Sequence, residues 1–308
     1  MAAVFALPDV TQIVALALAE DLGVPAERFA LGAGVTPGLL ARDVTSSSAI
    51  DPDARFSGRV VAREACVVAG LPLVQAVFDT LSVAAGLFDP IEVFPLVAEG
   101  TRVEAGTPVL DVEGVATAVL TGERTALDFL MMLSGIATET ARWVAAAGPD
   151  LDVCDTRKTA PGLRALSKYA VAVGGGTNHR AGLFDMVLIK DNHIRAAGGI
   201  TAAVESARLG GPGLLVEVEA DTLAQAKEAV EAGADLVLLD NMSDDLLGEA
   251  VLAVRQSARE LARTVLTEAS GSIRIDRLTA LRATGVDRVS TSALTMGVAV
   301  VDFGLDES

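Results

Sequence analysis

The sequence predicts an α/β protein: an N-terminal α/β sandwich-like domain followed by a C-terminal, open β/α barrel with parallel strands. Three observations carry this expectation. After residue 150, short apolar runs rich in β-branched residues recur, closed at Asp155, Lys190, Glu219, Asp240, Glu268 and Ser290, positions 35, 29, 21, 28 and 22 residues apart. That is the spacing of strand–helix units in a parallel sheet, and their number points to a barrel. Before residue 116, glycines at turn spacing separate β-forming segments instead. Finally, 308 residues, 51% of them hydrophobic, suffice for two domains with sizeable cores.

Residues 9–22 read as a helix, with Asp9 or Thr11 as N-cap and Gly23 past its end. Asp43 to Ser48 is turn-rich and leads to two alternating segments, 55–63 and 64–73, that read as strands. A helix from Pro72 to about Leu81 follows, then short β pieces split by Gly100, Gly106 and Pro108. From Leu120 to Ala147, Leu127, Leu130, Leu133 and Ile136 fall at helical spacing, predicting a linking helix between domains. Further helices are expected at 163–173, 201–209, 222–232 and 243–262. The expected domains are 1–130, 131–289 and a tail, 290–308, packing back on the first.

Charged residues at the carboxyl ends of barrel strands point into the site built by the βα loops. Asp155 with Arg157, Lys190, Glu219, Asp240 and Glu268 all take such positions on this reading.

Bulk properties exclude several classes. No apolar run reaches the roughly 18 residues of a membrane span, so no membrane helix is expected. The start, Met1 to Pro8, has no basic region and runs on to Glu20 and Asp21, unlike a secretory signal. Cys66 and Cys154 stand far apart in apolar contexts, which fits packed small residues in a reducing cytoplasm better than a disulfide scaffold. A net charge of −17 argues against nucleic-acid binding, which rests on broad Lys/Arg surfaces.

Against that acidic background one stretch is cationic. From Arg157 to Lys190 six Lys/Arg face one acid, Asp185, a local charge of +5, so the rest of the −17 chain carries −22. Clustered cations repel unless a multiply charged ligand draws them together, so a small, strongly anionic substrate is expected. Both histidines of the chain, His179 and His193, lie in or just beyond this stretch. A metal held by the pair is not expected, because no third His or Cys accompanies them. Gly174-Gly-Gly176 reads as a helix C-cap and flexible link, or as a loop able to close over substrate.

The same stretch carries a family resemblance. D-T-R-K-T-x-P-G-x-R from Asp155, and G-G-G-x-N-H-R-x-G-L-x-D-x-x-L-I-K-D-N-H from Gly174, resemble the quinolinate phosphoribosyltransferases. These decarboxylating enzymes make nicotinate mononucleotide in NAD biosynthesis. Gly122-Glu-Arg-Thr-Ala-Leu127, Glu217-Val-Glu219 and Leu238-Leu-Asp-Asn241 extend the likeness over most of the chain.

The resemblance implies the substrates quinolinate and phosphoribosyl pyrophosphate, a magnesium cofactor, and a homodimer or assembly of dimers. Arg124 would reach the substrate carboxylates of the neighbouring subunit. Arg157 and Arg180 would be the clamps within the chain, suited by the planar guanidinium fork to a dicarboxylate. Thr156, Lys158 and His179 would complete that pocket, Lys190 would neutralise pyrophosphate, and Glu219 and Asp240 would hold ribose hydroxyls and orient magnesium. Lys158, Lys190, Glu219 and Asp240 are the catalytic candidates.

The 5′-phosphate would rest on Ser270, Gly271 and Ser272 and on Ser290, Thr291, Ser292 and Ala293. Here the chain departs from the pattern: Ser272 and Ser292 stand where glycines are usual, and Met296 where a histidine is usual. If those positions need φ > 0, serine costs about 1 kcal/mol. Two alternatives follow: a catalytically altered or silent relative binding another anionic metabolite, and a Schiff-base barrel aldolase using Lys190.

Overall fold

The structure, a computed structural model, describes residues 6–30 and 32–307. Met1 to Phe5, on which the reading of the chain's start partly rests, lie outside the described residues. The chain forms two compact units: one holds the chain up to Glu139 with 160–174 and 297–308, the other holds 140–159 and 175–296.

In the first unit, α1 (Thr11–Leu22) is closed by Gly23 in the left-handed conformation. Its N-cap is Val10, one residue from each candidate; Asp9 instead accepts the Thr11 amide at 3.0 Å. The turn-rich stretch after Asp43 is a helix, α2 (Val44–Ala49), because the Asp43 carboxylate accepts the amides of Thr45 and Ser46. After β1 (Arg55–Ala62), the second expected strand shrinks to β2 (Cys66–Val67), since α3 (Leu71–Ala85) already begins at Leu71. Glu99 makes that early start possible by accepting the Gly70 and Leu71 amides at 2.6 and 3.1 Å.

β3 (Glu92–Pro95), β4 (Arg102–Val103) and β5 (Pro108–Val115) follow, and then α4 (Ala116–Ala147), a single helix of 32 residues. The boundary between the units falls inside it. The last strand, β12 (Phe303–Glu307), pairs antiparallel with β1, completing a sheet of order β12-β1-β5-β3. Leu18, Leu73, Leu81, Leu110, Leu130 and Leu133 are fully buried in this unit. α5 (Arg164–Val173) also belongs to it, and its Tyr169 hydroxyl donates to Glu99 at 2.8 Å.

The second unit is built on β6 (Asp152–Cys154), β7 (Val187–Ile189), β8 (Val216–Ala220), β9 (Leu236–Asp240), β10 (Leu266–Ser270) and β11 (Arg288–Ser290). All pair in parallel in the order β6-β11-β10-β9-β8-β7, so the sheet is open, with β6 and β7 as its edges. The connecting helices are α6 (Asp191–Ala197), α7 (Ile200–Gly210), α8 (Leu223–Ala232), α9 (Asp244–Glu260) and α10 (Leu278–Ala283). Thr222 with Gln225 forms a capping box on α8, and Ser243 caps α9. α6 and α10, both short, carry too few turns for sequence periodicity to register.

Among the described residues no helix is long and apolar enough to cross a membrane. Both cysteines are free and buried, and burial pushes the Cys66 thiol up to about 11.

Candidate active site

Alternation along the parallel strands decides which side chains face the site. On β8, Val216, Val218 and Ala220 are buried on one side, while Glu217 and Glu219 share the other. Two layers result. The strand-end layer is Lys190, Glu219, Asp240, Ser270 and Ser290, and two residues earlier on each strand lie Leu188, Glu217, Leu238, Glu268 and Arg288. Strand register then sets neighbours in the lower layer: Leu238 stands beside Glu268, and Glu268 beside Arg288.

A cavity of about 360 Å³ opens among these strand ends. Thr156, Arg157, Lys158, His179, Arg180 and Lys190 line it, with Ser270 and Ser290 from the neighbouring ends and Leu188 and Leu238 as apolar wall. The three cations on which the sequence reading turned, Arg157, Arg180 and Lys190, therefore face one space. Arg157 Nε is buried with no hydrogen-bond partner among the described residues. Burial, followed by the Arg157 charge, holds Arg180 below the usual guanidinium range. Two half-buried cations close enough to feel each other's charge repel until an anion arrives.

Lys190 Nζ forms an ion pair with Glu219. Next to it, burial and then the Glu219 charge lift the Asp240 carboxyl above its ordinary value. Asn241 Nδ2 donates to Asp240 Oδ2 at 2.5 Å, which fixes the carboxylate's direction.

At the floor of the cavity, with His179 and Glu268 in its lining, lies a charged cluster that sequence reading missed in part. His179 Nε2 is 3.0 Å from Glu217 Oε2 and 3.4 Å from Glu268 Oε1. Arg288 Nε is 2.7 Å from Glu268 Oε2, and its Nη2 is 3.8 Å from Glu217 Oε1. Both glutamates are fully buried. Proton affinity is raised across the His179–Glu217 contact. Burial, with Glu268 adding to it, lifts Glu217; at His179 burial opposes the charge, but the two carboxylates outweigh it and raise the proton affinity there as well.

The Arg180 amide donates to His179 Nδ1 at 2.8 Å. A backbone amide cannot yield its proton, so the ring is the Nε2–H tautomer and the pair's extra proton belongs on the Glu217 side. His179, Glu217 and Glu268 have the grouping of a metal site. Arg288 supplies the countercharge there instead.

Two expected placements, those of Glu268 and Asp155, change. Glu268 does not close its strand: β10 runs on to Ser270, leaving Glu268 one layer down. Asp155, also fully buried, accepts the His179 amide at 2.8 Å and Asn178 Nδ2 at 2.9 Å, so it shapes the loop under the clamp. His193 Nδ1 accepts the Lys190 amide at 3.0 Å and caps α6. Arg124 lies in the first unit, exposed on α4, 3.3 Å from Asp128 one turn on.

In the last two loops Gly271 has φ 90° and Ser272 φ 48°. A Cβ on Gly271 would collide with Asn241 Oδ1. Ser272 thus occupies a left-handed conformation that costs a non-glycine residue roughly 1–2 kcal/mol. Ser292 opens a 3₁₀ turn, Ser292–Leu294, and has no such strain. The Thr291 hydroxyl accepts the Ala293 amide at 3.1 Å, and Thr295 Oγ1 donates to the Lys158 carbonyl at 2.7 Å, tying this loop to the clamp loop. Met296 is exposed.

Glu217 and Arg288 were legible only as a parity signal. Each lies two residues before a strand-end residue, but an isolated charge within a strand reads equally well as surface.

Comparison with known proteins matches this architecture. Residues 43–134 match the family described as quinolinate phosphoribosyl transferase, N-terminal domain, and residues 136–306 match its C-terminal domain. The chain is 41% identical over 265 residues, 86% of its length and 90% of the relative's, to a nicotinate-nucleotide pyrophosphorylase (carboxylating) of Mycobacterium leprae. It is 46% identical to a probable enzyme of the same name from Synechocystis, over 78% of both chains. Among solved structures, the nicotinate-nucleotide pyrophosphorylase from Francisella tularensis superposes with a TM-score of 0.84 at 34% identity, covering 99% of this chain and 98% of that one.

Proposed function

Because the chain belongs to the quinolinate phosphoribosyltransferase family, we propose that its cationic cavity gathers quinolinate and phosphoribosyl pyrophosphate for decarboxylating phosphoribosyl transfer. The products are nicotinate mononucleotide, pyrophosphate and carbon dioxide. The observation that carries this reading is the convergence of Arg157, Arg180, Lys158 and Lys190 on one cavity, with Arg157 Nε unpartnered. Such a constellation is stabilised by a dicarboxylate that both guanidinium forks can grip.

The chemistry asks mainly for positioning and charge stabilisation. Arg157 and Arg180 hold the two carboxylates, the pyridine ring lies along Leu188 and Leu238, and Lys158 and Lys190 face the polyphosphate. The ring nitrogen then forms its bond to the anomeric carbon as the bond to pyrophosphate breaks. The resulting pyridinium accepts the electron pair released when the C2 carboxylate leaves as carbon dioxide, and a proton takes the vacated carbon. Ser270 and Ser290 stand at the strand ends where a barrel holds a phosphate, with Gly271, Ser272, Thr291, Ser292 and Ala293 in the loops beyond.

Magnesium is the proposed cofactor. Glu219 and Asp240 offer oxygen donors only, and the charge of one carboxylate on the other is what a hard dication relieves. Lys190 already occupies a Glu219 oxygen, so these carboxylates would hold the ion through waters and ribose hydroxyls. Bound there, magnesium would neutralise pyrophosphate charge. The proposed assembly is a homodimer or an assembly of dimers, cytoplasmic, in which Arg124 serves the partner subunit's site.

The test is a product assay with quinolinate, phosphoribosyl pyrophosphate and magnesium. Nicotinate mononucleotide and carbon dioxide in equal amounts are expected; turnover of neither substrate would leave the altered or silent relative as the better reading.

A further inference from the structure

Both ring nitrogens of His179 are occupied by the protein itself: Nε2 by Glu217 and Glu268, Nδ1 by the Arg180 amide. The ring thus joins the cavity lining to the buried carboxylates and to the main chain of the next residue. It thereby holds the backbone that carries the Arg180 clamp. The loop beyond is fixed independently, because Asp185 accepts the Ala181 and Gly182 amides at 2.6 and 2.9 Å. The far anchor of the ring is Arg288, which binds Glu268 through Nε and adds charge to Glu217.

We propose that Arg288 is a positioning residue for quinolinate binding, acting through Glu268 and the His179 ring on the main chain of Arg180. Its position explains why a charged side chain is tolerated inside β11. Strand register sets Arg288 beside Glu268, and without it two buried carboxylates would share one histidine. Asp155, just past the end of β6, completes the arrangement by accepting the amide of His179, so side chain and main chain of that residue are held from separate parts of the sheet. The inference rests on the reading that Arg180 grips a quinolinate carboxylate, and it gives His179, besides its place in the cavity lining, the task of holding the clamp.

The test uses the full chain, with Arg288→Met combined with Glu268→Gln so that the charge pair is removed as a pair. The expected result is a rise of about 10- to 100-fold in KM for quinolinate, with KM for phosphoribosyl pyrophosphate within about twofold, since only the clamp is displaced. Arg288→Lys with Glu268 left in place, which keeps the charge pair, should show little of the loss. Added to Arg180→Ala, the double replacement should raise KM no further; additive losses would overturn the relay. A substrate-free reading comes from ring ¹⁵N signals, which are simple to assign because the chain has two histidines. The unmodified protein should show an unprotonated, hydrogen-bonded Nδ1 at His179 that changes when Arg288 and Glu268 are replaced. A doubly protonated ring at neutral pH, or an Nδ1 signal indifferent to the replacements, would overturn the proposal even if the enzyme still failed to bind quinolinate. Normal quinolinate KM in Arg180→Ala alone would instead remove the clamp reading, leaving the ring signals to judge the relay.

Discussion

The guanidinium of Arg157 lies near enough to Arg180 for its charge to add to burial in lowering that neighbour's proton affinity, and its own Nε is buried without a partner among the described residues. Repulsion of this kind is stored for an anion. Arg157→Ala should raise KM for quinolinate by about 10- to 100-fold, the equivalent of one lost charge-assisted contact. The melting temperature should stay the same or rise, since a strained cation leaves. Steady-state kinetics beside a thermal melt checks both, and unchanged quinolinate affinity would remove Arg157 from the clamp.

The two serines of the phosphate loops should respond to glycine with opposite signs. Ser272 has φ 48°, so Ser272→Gly relieves strain and should stabilise the fold by up to about 1 kcal/mol. Ser292 begins a 3₁₀ turn without positive φ, so Ser292→Gly only loosens the unfolded chain and should destabilise by roughly 0.5–1 kcal/mol. Denaturant titration of both variants reads the difference; equal shifts would show that backbone conformation does not separate the positions.

Stability should fall on the alkaline side. The His179–Glu217 pair has a raised proton affinity, so it holds its extra proton above the value of about 6.5 at which an unfolded histidine gives one up. A raised folded value means that the stabilisation is complete below about pH 6.5 and is lost as pH climbs above it. With the proton on the carboxyl side, Glu217→Gln reproduces the protonated form and should flatten this limb. Melts between pH 6.5 and 9.5 decide it, and parallel curves for the two proteins would place the proton elsewhere.

Arg124 makes only an exposed pair with Asp128, of a kind that contributes between 0 and about 1 kcal/mol. Arg124→Ala should therefore leave the fold intact while abolishing turnover. Mixed and reassociated with Arg157→Ala, it should restore roughly a quarter of full activity, because random exchange between dimers yields half mixed dimers with one complete site each. A mixture as inactive as its parts would mean that Arg124 serves no neighbouring site.

The candidate site was readable wherever one residue's chemistry and one strand's end coincide. Lys190, Glu219 and Asp240 close apolar runs, so their placement follows from local pattern alone. The Arg157 and Arg180 clamps were readable as local charge excess. Glu268 resisted such reading because β10 continues for two residues beyond it, and hydrophobicity does not mark where a strand of alternating character stops. Asp43 and Glu99 were overlooked for a related reason: capping partners are settled by which amides a fold leaves open.

By itself the sequence determined the succession of strand and helix, five of the six strand-end positions and the cationic character of the loops between them, because period and charge are properties of neighbours along the chain. Only the tertiary structure decided that Arg288 faces Glu268, that His179 has its nitrogens spoken for, and that Ser272 bears a left-handed backbone. Those are relations between strands about 20 residues or more apart, and between a loop and the loop beside it. They are set by register and packing, which no local pattern encodes.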